Sequence, residues 1–445
     1  MAKFQRNVFY RGQAGYEHVR QATAWCKRVP DRYPEIIVGA LNADDVVAAV
    51  RLAREQGLQV SVRSGGHSWN ANHLRNGVLL IDCHGLKDYH VDPDAMTGWA
   101  QPGLRGSDLN KALLELGLFF PTGHCTDVCI GGYLLQGGIS WDNHRLGPAC
   151  GSVTAIDVVT ANGELVHATD DNEHADLLWA ARGAGPGFCG VVTRYFVKLY
   201  PRRKINMNSL YIYPSDNFAD VCGFCHEIGP KTPTEINKLT SWQPTITTAA
   251  PVITLGAMAF TDTEEEAHEQ LAIYENCPGR NRALATRLYE VISTPEMGRI
   301  GADPHYLETK RYAGDCMWTG ASFQDLAPGF RDIINSLEGM SHILFTNFGC
   351  ENPPPRPPMA FSLDDKYYYG VYATWDDPAD DKRYLDWLVR HMRALEPYMT
   401  GMPLADENLE NRPFRFMTDE NLKRLDQVRA KYDPDNRFVA WANRP

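Results

Sequence analysis

Residues 43–56, ADDVVAAVRLAREQ, carry apolar side chains at helical spacing in a charged background. The pattern predicts an amphipathic helix capped by Asn42 and stopped by Gly57. Residues 58–63 alternate as a half-buried strand does, and 78–82 form the short apolar run of a strand covered on both faces. A second amphipathic helix is predicted over 109–116, ending at Gly117. Residues 153–159 read as a strand, and Asn162-Gly163 is a hairpin signal that folds it back onto 164–167. A helix over 176–182 and a strand over 191–200 follow.

The texture changes at Pro201-Arg202-Arg203-Lys204. Strand-like segments at 209–213, 252–260, 342–348 and 366–374 are joined by a helix over 263–275 and by a proline-rich loop at 353–358, expected on the surface. Such material predicts an antiparallel sheet flanked by helices. A last helix over 419–431 precedes the segment Tyr432-Asp433-Pro434-Asp435-Asn436-Arg437-Phe438. A chain of 445 residues exceeds what one hydrophobic core organises. The expected fold is α+β, with a first domain over 1–200, a second over 201–405, and a segment over 406–445 that returns to the first.

Composition narrows the function classes. Hydrophobic content of 44% and charged content of 22% are those of a globular protein. The net charge of -11 argues against a nucleic-acid partner, which needs clustered Lys and Arg. The sequence has no apolar run near the roughly 18 residues of a membrane span, so no membrane partner is expected. The polar N-terminal decapeptide lacks a secretory pattern, and the cytoplasm is the expected location. Eleven scattered cysteines read as buried thiols rather than a disulfide framework.

Chemistry concentrates in two glycine loops. Arg63-Ser64-Gly65-Gly66-His67-Ser68 follows a predicted strand, where the glycines let the backbone turn sharply and aim N–H groups inward, Arg63 adds charge, and His67 is carried to the mouth. Gly123-His124-Cys125 leads through Val128 to Ile130-Gly131-Gly132 and on to Gln136-Gly137-Gly138, allowing close approach of a flat, phosphate-bearing ligand. Cys125 is a nucleophile where its thiolate is favoured; a buried thiol is the competing reading. Zinc is disfavoured because no matching Cys or His pair follows Cys125 and Cys129.

Three other motifs are decoys. Gly185-Pro186-Gly187-Phe188-Cys189-Gly190 spells G-x-G-x-x-G but runs from helix to strand, the reverse of the dinucleotide fingerprint. Cys222-Gly223-Phe224-Cys225-His226 matches a haem-attachment pattern but reads as a helix with two buried thiols. A nucleophile-elbow G-x-S-x-G is absent from the sequence.

Together these motifs resemble the vanillyl-alcohol-oxidase superfamily, with its PCMH-type FAD-binding domain, and within it the berberine-bridge-enzyme-like oxidases. The resemblance runs through both glycine loops, Asp157-Val-Val-Thr160-Ala-Asn-Gly163, Asp176-Leu-Leu-Trp179, Arg182-Gly-Ala-Gly185, Gly190-Val-Val192-Thr193 and Tyr432-Asp-Pro434-x-Asn436-x-Phe438. It implies FAD bonded to His67 through the flavin 8α-methyl and to Cys125 through flavin C6. Arg63, Ser64, Gly65, Gly66, Ser68, Gly123, Val128, Gly131, Gly132, Gly137, Gly138, Trp141, Gly190, Val192 and Asn436 would line the cofactor. It also implies hydride transfer from a small-molecule alcohol or glycoside-type hydroxyl to flavin N5, with O2 reduced to hydrogen peroxide. Oxidative cyclisation or C–N oxidation of a secondary metabolite is the second expectation, and an oxygen-insensitive dehydrogenase the third. One departure bears on the base: the stretch where family sugar oxidases carry Tyr and Asn reads Gly401-Met402-Pro403-Leu404-Ala405. The base is then sought in Lys366-Tyr367-Tyr368-Tyr369-Gly370-Val371-Tyr372, whose alternation puts Tyr367 and Tyr369 on one face and Tyr368 and Tyr372 on the other. Tyr369 is the expected base.

Overall fold

The side chain of Asn42 accepts the Asp45 amide at 2.9 Å, and Gly57 turns the chain at φ +68°, so the predicted first helix forms over Ala43–Glu55. The computed structural model describes residues 7–232, 237–239, 251–301 and 308–444; the first six residues of the polar N-terminal decapeptide lie outside it. This helix crosses over between the parallel strands Ile36–Gly39 and Gln59–Arg63. Val78–Asp82 inserts between them, and Val8–Tyr10 pairs antiparallel at the edge. The apolar run of the inserted strand is buried because Leu79 and Ile81 pack under the helix while Leu80 meets Tyr16 and Ile37 on the other face.

A second sheet is antiparallel and five-stranded among the described residues, in the order Tyr89–Asp92, Thr97–Ala100, Gly190–Lys198, Val153–Thr160, Leu165–Thr169. Gly163, at φ +71°, closes the expected hairpin between the last two. From Ile205 onward the strands join a different sheet, seven-stranded among the described residues and antiparallel throughout. Its strand Tyr367–Trp375 lies between His342–Asn347 and Arg311–Thr319 and is buried along its whole length. Period-two alternation gives its faces different neighbours. Tyr367, Tyr369, Val371 and Ala373 pack into the core beneath the helices Phe218–Ile228, Phe323–Asn335 and Asp381–Leu395. Tyr368 and Tyr372 point the other way, toward the first two sheets.

The C-terminal segment touches both halves. Gly401 accepts the Trp318 amide at 2.8 Å on the seven-stranded sheet. After the helix Asp419–Tyr432, Arg437 accepts the Val60 amide at 2.7 Å and Val439 donates to Val60 at 3.0 Å, extending the first sheet. The proline-rich loop has no regular structure, and Pro358 accepts from Arg182 Nη1 at 3.1 Å. Among the described residues no helix is long and apolar enough to cross a membrane.

Candidate active site

The first glycine loop leaves the end of the Gln59–Arg63 strand, and its shape requires glycine. Gly66 sits at φ +74°, and a side chain there would begin 2.0 Å from the Thr23 carbonyl oxygen. Arg63 shapes this loop through its own contacts. Its Nη1 lies 2.9 Å from both Asp82 oxygens, Nε donates to Thr23 at 3.0 Å, and Nη2 donates to Gly65 at 3.1 Å. The second loop ends in the short helix Ile130–Leu135. The loops touch: a Cβ on Gly65 would lie 2.9 Å from Cys129 Sγ, and one on Gly131 would lie 2.3 Å from Ser64 Oγ. Close backbone approach is therefore what carries His67 and Cys125 to the same place.

That place is a cleft of about 290 Å³. Its lining includes the whole run from Arg63 to Ser68, then Gly123, Cys125, Val128 and Gly132, and Gly190 and Val192. Leu344, Tyr368, Tyr372, Asp406 and Phe438 complete the lining from later parts of the chain. No disulfide joins the eleven cysteines, and nine of them are buried; Cys125 and Cys350 are partly exposed. Burial pushes the neighbouring Cys129 thiol up to about 11, so it stays protonated.

Two carboxylates missed in the sequence reading stand close by, Asp127 against His67 and Asp406 in the cleft lining. Asp127 Oδ1 lies 3.2 Å from His67 Nε2, and Trp25 Nε1 donates to its other oxygen. Burial would raise this carboxyl, but the adjoining His67 and the Trp25 indole outweigh it and hold it at about 2. Asp406, in the turn Leu404–Asp406, accepts Trp69 Nε1 on Oδ1; on Oδ2 it accepts Tyr368 at 2.5 Å and Tyr372 at 3.1 Å. The two phenol oxygens are 2.8 Å apart. Gly370 lies between them on the same face, where a Cβ would stand 2.6 Å from the Tyr372 oxygen and 2.7 Å from that of Tyr368. Its missing side chain is the room in which the phenols converge. Burial, and then the Asp406 charge, push the Tyr368 hydroxyl well above the ordinary range, so it remains a donor.

Other expected residues lie elsewhere. Tyr369 is turned from the cleft into the helix-covered core, its ring 4.4 Å from Phe330 and 4.7 Å from Phe345. Burial raises its hydroxyl well above the ordinary range, which removes it as a base. Gly131 stands behind the lining, where it admits Ser64. Gly137, at φ +100°, and Gly138, at φ +78°, form a turn packed on Phe361, Ala149 and Tyr133 rather than on the cleft. Trp141 is buried with Phe119, Met258 and Met297, edge-on to His124 at 4.5 Å. Asn436, at φ +49°, bends the C-terminal segment, and its carbonyl accepts Gln59 Nε2 at 2.9 Å. It lines a separate groove beside Trp441.

Asp142, next to Trp141, is buried, and desolvation lifts its carboxyl from the ordinary 3.8 to about 6 although Arg145 Nε donates to it at 2.6 Å. The folded state therefore keeps this proton after the unfolded chain has released it. Stability is expected to fall as pH rises from about 4 to about 6, by on the order of 3 kcal/mol. Asp142→Asn should flatten that part of the profile, read as denaturation midpoints across the interval.

Residues 34–169 match the family model of an FAD binding domain. The FAD-linked oxidoreductase nodO of Hypoxylon pulicicidum is 32% identical over 435 residues, covering 95% of this chain and 94% of that protein. The crystal structure of 6-hydroxy-D-nicotine oxidase from Arthrobacter nicotinovorans superposes with a TM-score of 0.85 at 22% identity, over 99% of this chain and 98% of that one. BBE-like 1 of Physcomitrella patens gives a TM-score of 0.83 at 20% identity, over 98% and 96% of the two chains.

Proposed function

The chain belongs to the FAD-linked oxidoreductases, and from that premise we propose that it is an oxidase of the berberine-bridge-enzyme-like kind whose flavin is held by two covalent bonds. Its substrate is a small molecule with a carbon bearing a hydroxyl or an amine, and its electron acceptor is dioxygen. One juxtaposition carries the reading: His67 and Cys125, delivered by separate glycine loops, open into one cleft. An imidazole and a partly exposed thiol are suitable donors for two attachments, and Gly65, Gly66 and Gly132 line the cleft without side chains to obstruct a flat ligand. When bound, FAD supplies a two-electron acceptor for the substrate's hydride and passes the electrons to dioxygen.

The chain's own part is to orient the substrate and take its proton. Asp406 is the base: three neutral donors aim its carboxylate, and it lines the cleft. Leu135, Ile139 and Leu344 give the same cleft apolar walls, which supports a substrate with an apolar body. Alcohols and sugars are the first class to screen and amines the second, by anaerobic flavin bleaching and by peroxide release in air.

Intact mass of the purified protein is expected to include one FAD that survives denaturation. His67→Ala should keep that mass through Cys125, and His67→Ala/Cys125→Ala should release all flavin into acid. Flavin that stays attached in the double variant would place the bonds elsewhere.

A further inference from the structure

Resting on the reading that His67 carries flavin, we infer that Asp127 is a positioning residue for that attachment: it fixes the imidazole tautomer with the proton on Nε2 and makes Nδ1 the nitrogen that bonds carbon. The carboxylate stands at ion-pair distance, 3.2 Å from Nε2, rather than in an aligned hydrogen bond. A carboxylate only accepts, and a neutral imidazole has one N–H, so this neighbour draws the proton to Nε2 and leaves the lone pair on Nδ1. Both partners are held in place. Trp25 donates its indole N–H to Asp127 and lays its ring 4.6 Å from the imidazole, while Trp69 meets the imidazole edge-on at 5.6 Å.

The step balances with dioxygen as oxidant. One C–H bond of the flavin methyl breaks, one C–N bond to His67 Nδ1 forms, and two electrons are released. Two protons leave, one from the methyl and one from Nε2, and electrons and protons together convert dioxygen to hydrogen peroxide. While Nδ1 is bonded and Nε2 is still protonated the ring is an imidazolium, and the Asp127 charge beside it offsets that charge.

The test uses the full chain in a Cys125→Ala background, so that attachment reports His67 alone. Cofactor-depleted protein is incubated with FAD in air, and covalent mass is followed over time. Asp127→Asn should slow attachment by roughly ten- to hundredfold. Asp127→Glu, which keeps the carboxylate, should recover most of the rate, and Trp25→Phe should show a smaller loss. Binding of FAD before attachment and the circular dichroism spectrum should be unchanged. NMR of the isolated flavin peptide should place the bond at Nδ1. Failure of Cys125→Ala itself to take up covalent flavin removes the parent reading. Normal attachment in Cys125→Ala and in Cys125→Ala/Asp127→Asn alike, or a bond at Nε2, overturns this one. Should Asp127→Asn fail to fold, Trp25→Phe decides alone: an unchanged rate overturns the inference.

Discussion

Asp406→Asn is expected to slow substrate-driven flavin bleaching by roughly 10²- to 10⁴-fold while the covalent flavin content stays at the native level. The amide matches the carboxylate in volume and still accepts the Trp69 indole on one oxygen. On its other side an NH₂ replaces the oxygen that two phenols address, so the group loses both its charge and its capacity to take a proton. The measurement is the single-turnover bleaching rate under anaerobic conditions, which separates this step from reoxidation. Tyr369→Phe is the matched control: its ring is packed on Phe330 and Phe345 away from the cleft, and its rate should equal the native one. A native rate in Asp406→Asn places the base elsewhere.

Arg412→Leu is expected to remove about 3–5 kcal/mol of stability, because it strands the Asp315 carboxylate in the interior. Asp315 is 0% exposed and Arg412 1%. The guanidinium meets it through Nε at 2.9 Å and through Nη2, and Asn408 adds a hydrogen bond at 3.0 Å. This cluster anchors the turn bearing Asp406 to the strand Arg311–Thr319, so activity should decline with stability. Chemical denaturation followed by tryptophan fluorescence reads the loss. Replacing both partners, Asp315→Leu with Arg412→Leu, should recover part of it, since the lone buried charge rather than the missing attraction dominates the cost.

The first half of the fold was legible because its signals are local. The Asn42 cap, the Asn162-Gly163 hairpin and the apolar run at 78–82 each act within a few residues. The helix Asp381–Leu395 was equally readable from Tyr384, Leu388, Met392 and Leu395 at three- and four-residue spacing, though the sequence reading did not single it out. The glycine loops were visible for the same local reason, since a positive φ or a close approach leaves no alternative to glycine. The proposed proton acceptor was not. Alternation separated Tyr369 from Tyr368 and Tyr372 correctly, but a period of two says nothing about which face meets a cleft built from other segments. One clue lay in the sequence: Gly370 falls between Tyr368 and Tyr372, and only on that face is there space for hydroxyls to meet. Asp406 stands one residue beyond Gly401–Ala405, and its orientation depends on Trp69, which is 337 positions away.

The parallel bridge between Val60 and Phe438 has a temporal consequence. Phe438, Val439 and Ala440 line the cleft beside residues 60–68, so one part of this wall is translated hundreds of codons after the part it pairs with. A ribosome-bound nascent chain cannot close that wall until residues 438–440 have been made, and ligand loading is thereby deferred to that point.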